Sequence, residues 1–232
     1  MRLDKYLSNH SGLSRKEAKQ ALKAGDVLVN DAMITDPQYR VSEQDNVRLN
    51  GMSIQPQGPR YFMMNKPAGY VCANSDSQHP TVMSLLFEDD IETLHIAGRL
   101  DMDTTGLVLI TDDGQWSHRV TAPKHKQPKH YSVLLDRPID AETSSIFAEG
   151  MLLKNEFKRT RPAQLKVHTK TEVDLIIEEG KYHQVKRMFA AVGNHVNELH
   201  RFQIGNIILD DDLQPGEYRP LTHQEIESVM ES

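Results

Sequence analysis

The chain of 232 residues has one cysteine and one tryptophan. A single thiol, Cys72, rules out an internal disulfide and a cysteine-rich metal site. No apolar run approaches the roughly 20 residues that a membrane-spanning helix needs. The opening Met1-Arg2-Leu3-Asp4-Lys5-Tyr6 carries no signal-peptide apolar region. The expectation is a cytoplasmic protein with no membrane partner. Net positive charge is also missing: 27 Lys and Arg against 33 Asp and Glu leave −6, which argues against a chain that binds nucleic acid over its whole surface. The eleven histidines show no zinc spacing such as H-E-x-x-H, so no metal is expected.

What charge there is lies in blocks. Acidic residues gather at Glu88-Asp89-Asp90, at Asp210-Asp211-Asp212 and in the last ten residues, and basic ones at 15–23, 124–137, 154–170 and 181–187. Separated blocks of opposite sign can give one face a positive potential despite the negative sum. A non-periodic Pro/Gly-rich stretch, Gln55-Pro56-Gln57-Gly58-Pro59, reads as a linker. It divides the chain into a domain over 1–58 and a larger one over 59–232. There is no internal repeat.

The first segment opens with a short amphipathic helix carrying Leu3 and Leu7, interrupted by Gly12. Ser14-Arg15-Lys16-Glu17 reads as a capping box, and the helix it starts runs to Ala24 and stops at Gly25. Ala18, Ala21 and Leu22 form its apolar face, while Arg15, Lys19 and Lys23 recur every four residues as a basic stripe. A strand at Val27–Asn30, a turn at Asn30-Asp31 and a strand at Val47–Leu49 follow. Arg2-Leu3-Asp4-Lys5-Tyr6-Leu7, Ser14-Arg15 with Ala18, and Gly25-Asp26-Val27-Leu28-Val29-Asn30 together resemble the S4 RNA-binding module. A helix carrying a row of cations grips phosphates without reading bases. The resemblance implies an RNA contact through Arg2, Arg15, Lys19 and Lys23.

The second segment is rich in strands. Tyr61–Asn65, Tyr131–Leu135 and Val173–Ile177 read as strands, and Leu107–Thr111 as a buried one because its apolar run is continuous. Asp113-Gly114 reads as a turn. A helix over about 183–192 has Val185, Met188, Phe189 and Val192 on one face and ends at Gly193. Without regular βαβ alternation, the pattern predicts an α+β fold: a small N-terminal α+β domain, then a larger domain on a largely antiparallel mixed sheet with flanking helices. Trp116, Phe189 and Cys72 are expected in the core.

Chemistry concentrates in Gly98-Arg99-Leu100-Asp101-Met102-Asp103-Thr104-Thr105-Gly106-Leu107. Two carboxylates two residues apart, in a polar Gly-bounded loop before a buried strand, suit a catalytic loop on a rigid sheet. Three other readings compete. Asp101, Asp103, Thr105, Gly106 and Asp112 fall at positions 1, 3, 5, 6 and 12 of an EF-hand-like pattern, although Thr and Asp replace usual ligands and the flanks are not helical. A two-carboxylate glycosidase site lacks an obvious acid–base partner. A bare D-x-D is also an ordinary turn.

Gly98-Arg99-Leu100-Asp101 followed by Thr104-Thr105-Gly106-Leu107 resembles the signature loop of the pseudouridine synthases of the RsuA/RluA type. Further blocks agree in family order: Asn65-Lys66-Pro67-Ala68-Gly69, Lys129-His130-Tyr131, Glu179-Gly180-Lys181-Tyr182-His183-Gln184-Val185-Lys186-Arg187-Met188, and Leu199-His200-Arg201 with Ile204-Gly205. Coupled to an S4-like segment, the domain is most similar to the RsuA subgroup, and within it to the synthase for small-subunit ribosomal RNA. Members acting on large-subunit RNA, and a non-catalytic RNA-binding or ribosome-assembly protein on the same fold, are the alternatives.

The resemblance implies an isomerisation of a ribosomal RNA uridine, with no cofactor. It makes Asp101 the catalytic carboxylate, acting as nucleophile or as base, and Lys186 its basic partner where the family often has arginine. Tyr131 stacks on the uracil and Leu199 walls the pocket; from the loop residues themselves, Arg99 and Asp103 position the loop or pair within it. Lys66, Lys124, Lys129, Lys154, Lys158, Arg159, Arg161, Arg187 and Arg201 are candidates to contact the RNA, and the histidines are read as structural or RNA-contacting. The expected partner is ribosomal RNA, within a small-subunit assembly intermediate, bound by a monomer.

Overall fold

A computed structural model describes residues 1–42, 44–55, 58–125 and 127–230. Pro56 and Gln57 of the expected linker, Lys126 of the second basic block and Glu231 of the acidic end lie outside the described residues. The chain divides into two compact units, Met1–Gly58 and Pro59–Ser232.

The first unit contains α1 (Leu3–His10), α2 (Arg15–Ala24), β1 (Val27–Val29), β2 (Ala32–Met33), β3 (Val47–Leu49) and β4 (Met52–Ile54). The Ser14–Glu17 capping box forms in both directions, and Gly25 closes α2 in the left-handed region at φ 85°. Asn30 and Asp31 both take positive φ, which lets a two-residue turn join β1 to β2 with the twist that paired strands need. The sheet order is β2-β1-β3-β4. Leu3, Leu7, Ala18, Leu22, Val27 and Val47 are buried together beneath it, so the basic stripe is left outside: Arg15, Lys19 and Lys23 are all exposed.

The second unit runs β5 (Tyr61–Lys66), β6 (His95–Ala97), β7 (Thr105–Thr111), α3 (Gly114–Thr121), β8 (Lys129–Leu135), α4 (Thr143–Glu149), β9 (Gln164–Val167), β10 (Glu172–Ile177), α5 (Gln184–Ala191), β11 (Val196–Ile204), β12 (Ile207–Ile208), β13 (Tyr218–Pro220) and α6 (His223–Ser228). Its sheet follows β13-β5-β7-β11-β8-β10-β9, with β6 on β7 and β12 on β11. Each pairing in it is antiparallel except β7 with β11. β7 is buried along almost its whole length, as its continuous apolar run requires, and separates two cores. Val185, Met188 and Phe189 pin α5 into one of them, and Trp116 and Val120 pin α3 into the other.

Asp113-Gly114 is not a simple turn. Asp113 accepts from the backbone N–H groups of Gln115 and Trp116 and so caps α3, a helix the sequence reading passed over. The parallel β7–β11 contact is short, His200 beside Thr105 and Arg201 beside Gly106. It brings backbones so close that a Cβ on Gly106, at φ 101°, would lie 2.2 Å from the Arg201 carbonyl oxygen. Glycine is the residue this crossing admits.

Candidate active site

Asp101 sits in the loop between β6 and β7, at the wall of a cavity of about 420 Å³. Around it the sheet and α5 deliver side chains from distant parts of the chain. Tyr131 comes from β8 and Leu199 from β11, on one face of the sheet because Leu199 faces Val133, two residues from Tyr131. Lys186 comes from the first turn of α5, next to the buried Val185 that orients the helix. Arg99 and Lys129 complete the group. The structure thus brings Asp101, Arg99, Tyr131, Lys186 and Leu199 around one cavity.

The charges are arranged more fully than the sequence reading anticipated. The Lys186 ammonium lies 2.5 Å from Asp103 and 3.7 Å from Asp101, so one lysine spans both carboxylates. Its hydrogen bond holds the Asp103 carboxyl below its ordinary pKa. Asp103 thus pairs across to α5, and no pairing of Arg99 with it occurs among the described residues. His183, read from sequence as structural or RNA-contacting, places Nε2 3.4 Å from Asp101. It reaches there from the left-handed region, φ 47° and ψ 36°, at the start of α5. That conformation is costly for a residue with a side chain and is typically retained at functional sites. Residue spacing gives no sign of such a backbone.

Two cations proposed for RNA prove to be structural. Lys66 is fully buried, and its ammonium donates to the carbonyls of Pro67, Met102 and Thr104 at 2.9, 3.1 and 2.7 Å. It ties β5 to the loop that carries Asp101. Arg201 is buried too; its guanidinium donates to the carbonyls of Leu107, Gly98 and, at the longer 3.4 Å, Arg99. Both are corrections to the sequence reading, with one cause: loop carbonyls removed from water need donors, and a long cationic side chain supplies several at once.

Arg187 is likewise engaged, with Glu156 and with the carbonyls of Lys154 and Tyr182. Arg2 forks onto the buried Asp4, while Arg161 lies beside Glu178. Lys129 is buried in the cavity wall rather than placed on a surface patch. Burial, followed by the nearby Arg201 and Arg161 charges, pushes its pKa down to about 8. Lys124, Lys154, Lys158 and Arg159 remain exposed.

The calcium-loop reading does not survive the geometry. Thr105–Thr111 is a seven-residue strand, which carries Asp112 roughly 20 Å along the sheet from the loop. There the Asp112 carboxylate accepts from Arg60. Among the described residues no group of three or more His, Cys, Asp or Glu side chains is gathered to hold a metal ion, and no helix is long and apolar enough to cross a membrane.

Comparison with known proteins gives the family. The profile of a family described as RNA pseudouridylate synthase matches residues 60–191, and that of the S4 domain residues 1–47. The chain is 54% identical over 230 residues to the ribosomal small subunit pseudouridine synthase A of Yersinia pestis, covering 99% of this chain and 98% of that one. It is 53% identical over 231 residues to the protein of the same name from Escherichia coli K12, covering 99% and 100%. A crystal structure of a pseudouridylate synthase superposes with a TM-score of 0.72 at 46% identity, covering 99% of both chains. With an S4 domain before a cavity built around Asp101, the chain belongs to the RNA pseudouridylate synthase family.

Proposed function

We propose that this protein converts a specific uridine of small-subunit ribosomal RNA to pseudouridine, with Asp101 as the catalytic carboxylate. The observation that carries the assignment is Asp101 itself: a carboxylate at the wall of an open cavity, with Lys186 and His183 at its two oxygens. The small-subunit target is supported by the names of relatives that match over nearly the whole chain.

The reaction breaks the bond from ribose C1′ to uracil N1 and forms one from C1′ to C5. C5 loses its hydrogen and N1 gains one, so the product is an isomer. Asp101 acts on the nucleoside as nucleophile or base, with the Lys186 ammonium beside it. Tyr131 and Leu199 supply apolar surface against which the detached uracil stays stacked while it turns. The uridine must leave its helix or stack to enter, at a cost of a few kcal/mol, which phosphate contacts by exposed cations offset. The protein is taken to act as a monomer. The substrate is taken to be cytoplasmic ribosomal RNA in an assembling small subunit.

Release of tritium from small-subunit RNA labelled at uridine C5 tests this. The wild type should release it, and Asp101→Asn should release none while keeping its melting temperature and RNA affinity. Turnover by Asp101→Asn at a rate near wild type would overturn the assignment.

A further inference from the structure

A second cavity, of about 620 Å³, lies between the segment around Lys154–Glu156 and α5, with Tyr182 and Arg187 in its wall. Its size falls within the roughly 300–1,000 Å³ of small-molecule clefts. Tyr182 lines this cavity and His183 lines the one at Asp101. The two rings stack on each other, centroids 3.8 Å apart and planes 19° from parallel. A ring of one cavity thus stacks on a ring of the other: His183 reaches Asp101, and Tyr182 is 76% exposed. Phe157, nearby in sequence, is fully exposed as well.

The segment is held ready. Glu156 accepts from Lys181 and from Arg187, at 3.0 and 2.9 Å, and the same two cations donate to the carbonyls of Lys158 and Lys154. Glu156 is doubly engaged, which leaves the exposed Lys154 as a cation in the cavity wall, with exposed Lys158 and Arg159 further along the same segment. Exposed aromatic rings framed by cations are the recurring equipment for unpaired nucleic acid: rings take the bases and cations the phosphates.

We propose that this second cavity holds a nucleotide of the same RNA strand that directly adjoins the target uridine. Its base stacks on Tyr182 and its phosphate lies against Lys154. The His183–Tyr182 stack then stands between the two extruded bases, coupling capture of the neighbour to placement of the uridine at Asp101. This rests on the reading of the Asp101 cavity as the uridine site.

The experiment pairs protein variants with RNA lacking one base. Small-subunit RNA fragments containing the modified uridine are made intact, or abasic at each adjoining position in turn. Against intact RNA, Tyr182→Ala should raise KM by about 5- to 150-fold, the range for one base–aromatic stack, with kcat changed by no more than about threefold. Tyr182→Phe should restore both, because the ring is kept. One abasic position should reproduce the Tyr182→Ala loss in the wild type and add nothing to it in the variant, as expected for partners in one contact. Lys154→Glu, an exposed change that leaves the fold alone, should raise KM and flatten its salt dependence. Losses that add at every position, an impaired Tyr182→Phe, or an unchanged KM in Tyr182→Ala with an active wild type would overturn the subsite alone. A wild type that modifies the uridine neither in the intact fragment nor in the assembling small subunit would sink the uridine assignment along with it.

Discussion

The loop carrying Asp101 and the helix α2 are both served by basic side chains, but in opposite ways. At the loop, Lys66 and Arg201 are buried and their donors go to backbone carbonyls at Pro67, Met102, Thr104, Gly98 and Leu107. On α2, Arg15, Lys19 and Lys23 stand exposed along one side of a helix whose other side is core. The first set shapes the protein, and the second is free to meet a polyanion. The comparison implies that removing a loop cation should cost stability and turnover together, whereas removing a stripe cation should cost affinity alone.

The largest effect is expected at Lys66. Lys66→Met keeps most of the side-chain length but leaves three loop carbonyls without their donor. Each unmade buried hydrogen bond costs about 1–3 kcal/mol, and relief of the desolvated charge returns part of that, so a net loss of about 3 kcal/mol in urea unfolding is expected. Displacement of the Asp101 loop by even an ångström should lower kcat by about 100-fold. A variant that is destabilised yet turns over normally would break the link between the clamp and the loop's chemistry.

Lys129 is also buried, but it lies on β8 outside that loop pair, and pH tests it. Its folded pKa, about 8, lies below the roughly 10.4 of an exposed lysine. Between those values the unfolded chain holds more protons than the folded one, so this residue makes stability rise with pH. Below pH 8 both states are protonated and the penalty of the buried charge is fully present. Lys129→Met should therefore be more stable than wild type at pH 7, by up to about 3 kcal/mol less any packing loss. That advantage should shrink as pH climbs from 8 to 10. Urea titrations of both proteins across this range decide it, and a gap that widens with pH contradicts the sign.

The contrast also explains what sequence could reveal. Local chemistry is written locally: the Ser14–Glu17 box, the Asn30-Asp31 turn with both φ positive, and the continuous apolar run of β7 all appear in the structure where their residues predict. The α+β class follows from them. What a cation does is decided far away. Lys66 meets its carbonyls 36 and 38 residues on, and Arg201 meets Gly98 across 103. Before folding, both look like the lysines of α2. His183 was hidden for another reason: its reach to Asp101 depends on a left-handed backbone that a histidine does not advertise. Asp113-Gly114 misled because a residue that opens a turn and one that caps a helix make the same hydrogen bonds at first.

The smallest effect on the fold, and the cleanest view of the second set, should come from Arg15→Glu with Lys19→Glu. Both side chains are exposed on α2, so the double variant should melt within about 0.5 kcal/mol of wild type, the usual range for such surface changes. Arg15 and Lys19 lie one turn apart and face outward together, so a single run of phosphates can meet both. Each phosphate neutralised releases counterions, which steepens the dependence of affinity on salt. Losing two such contacts should flatten the slope of log affinity against log salt by about 1.5 and weaken binding by about tenfold at moderate salt. kcat at saturating RNA should hold, because neither residue lines the cavity at Asp101. Filter binding at several salt concentrations, beside a melt and a tritium-release assay, separates the outcomes. Unchanged affinity and slope would make the stripe an ordinary solvated face, and the N-terminal unit would then meet its RNA through other residues.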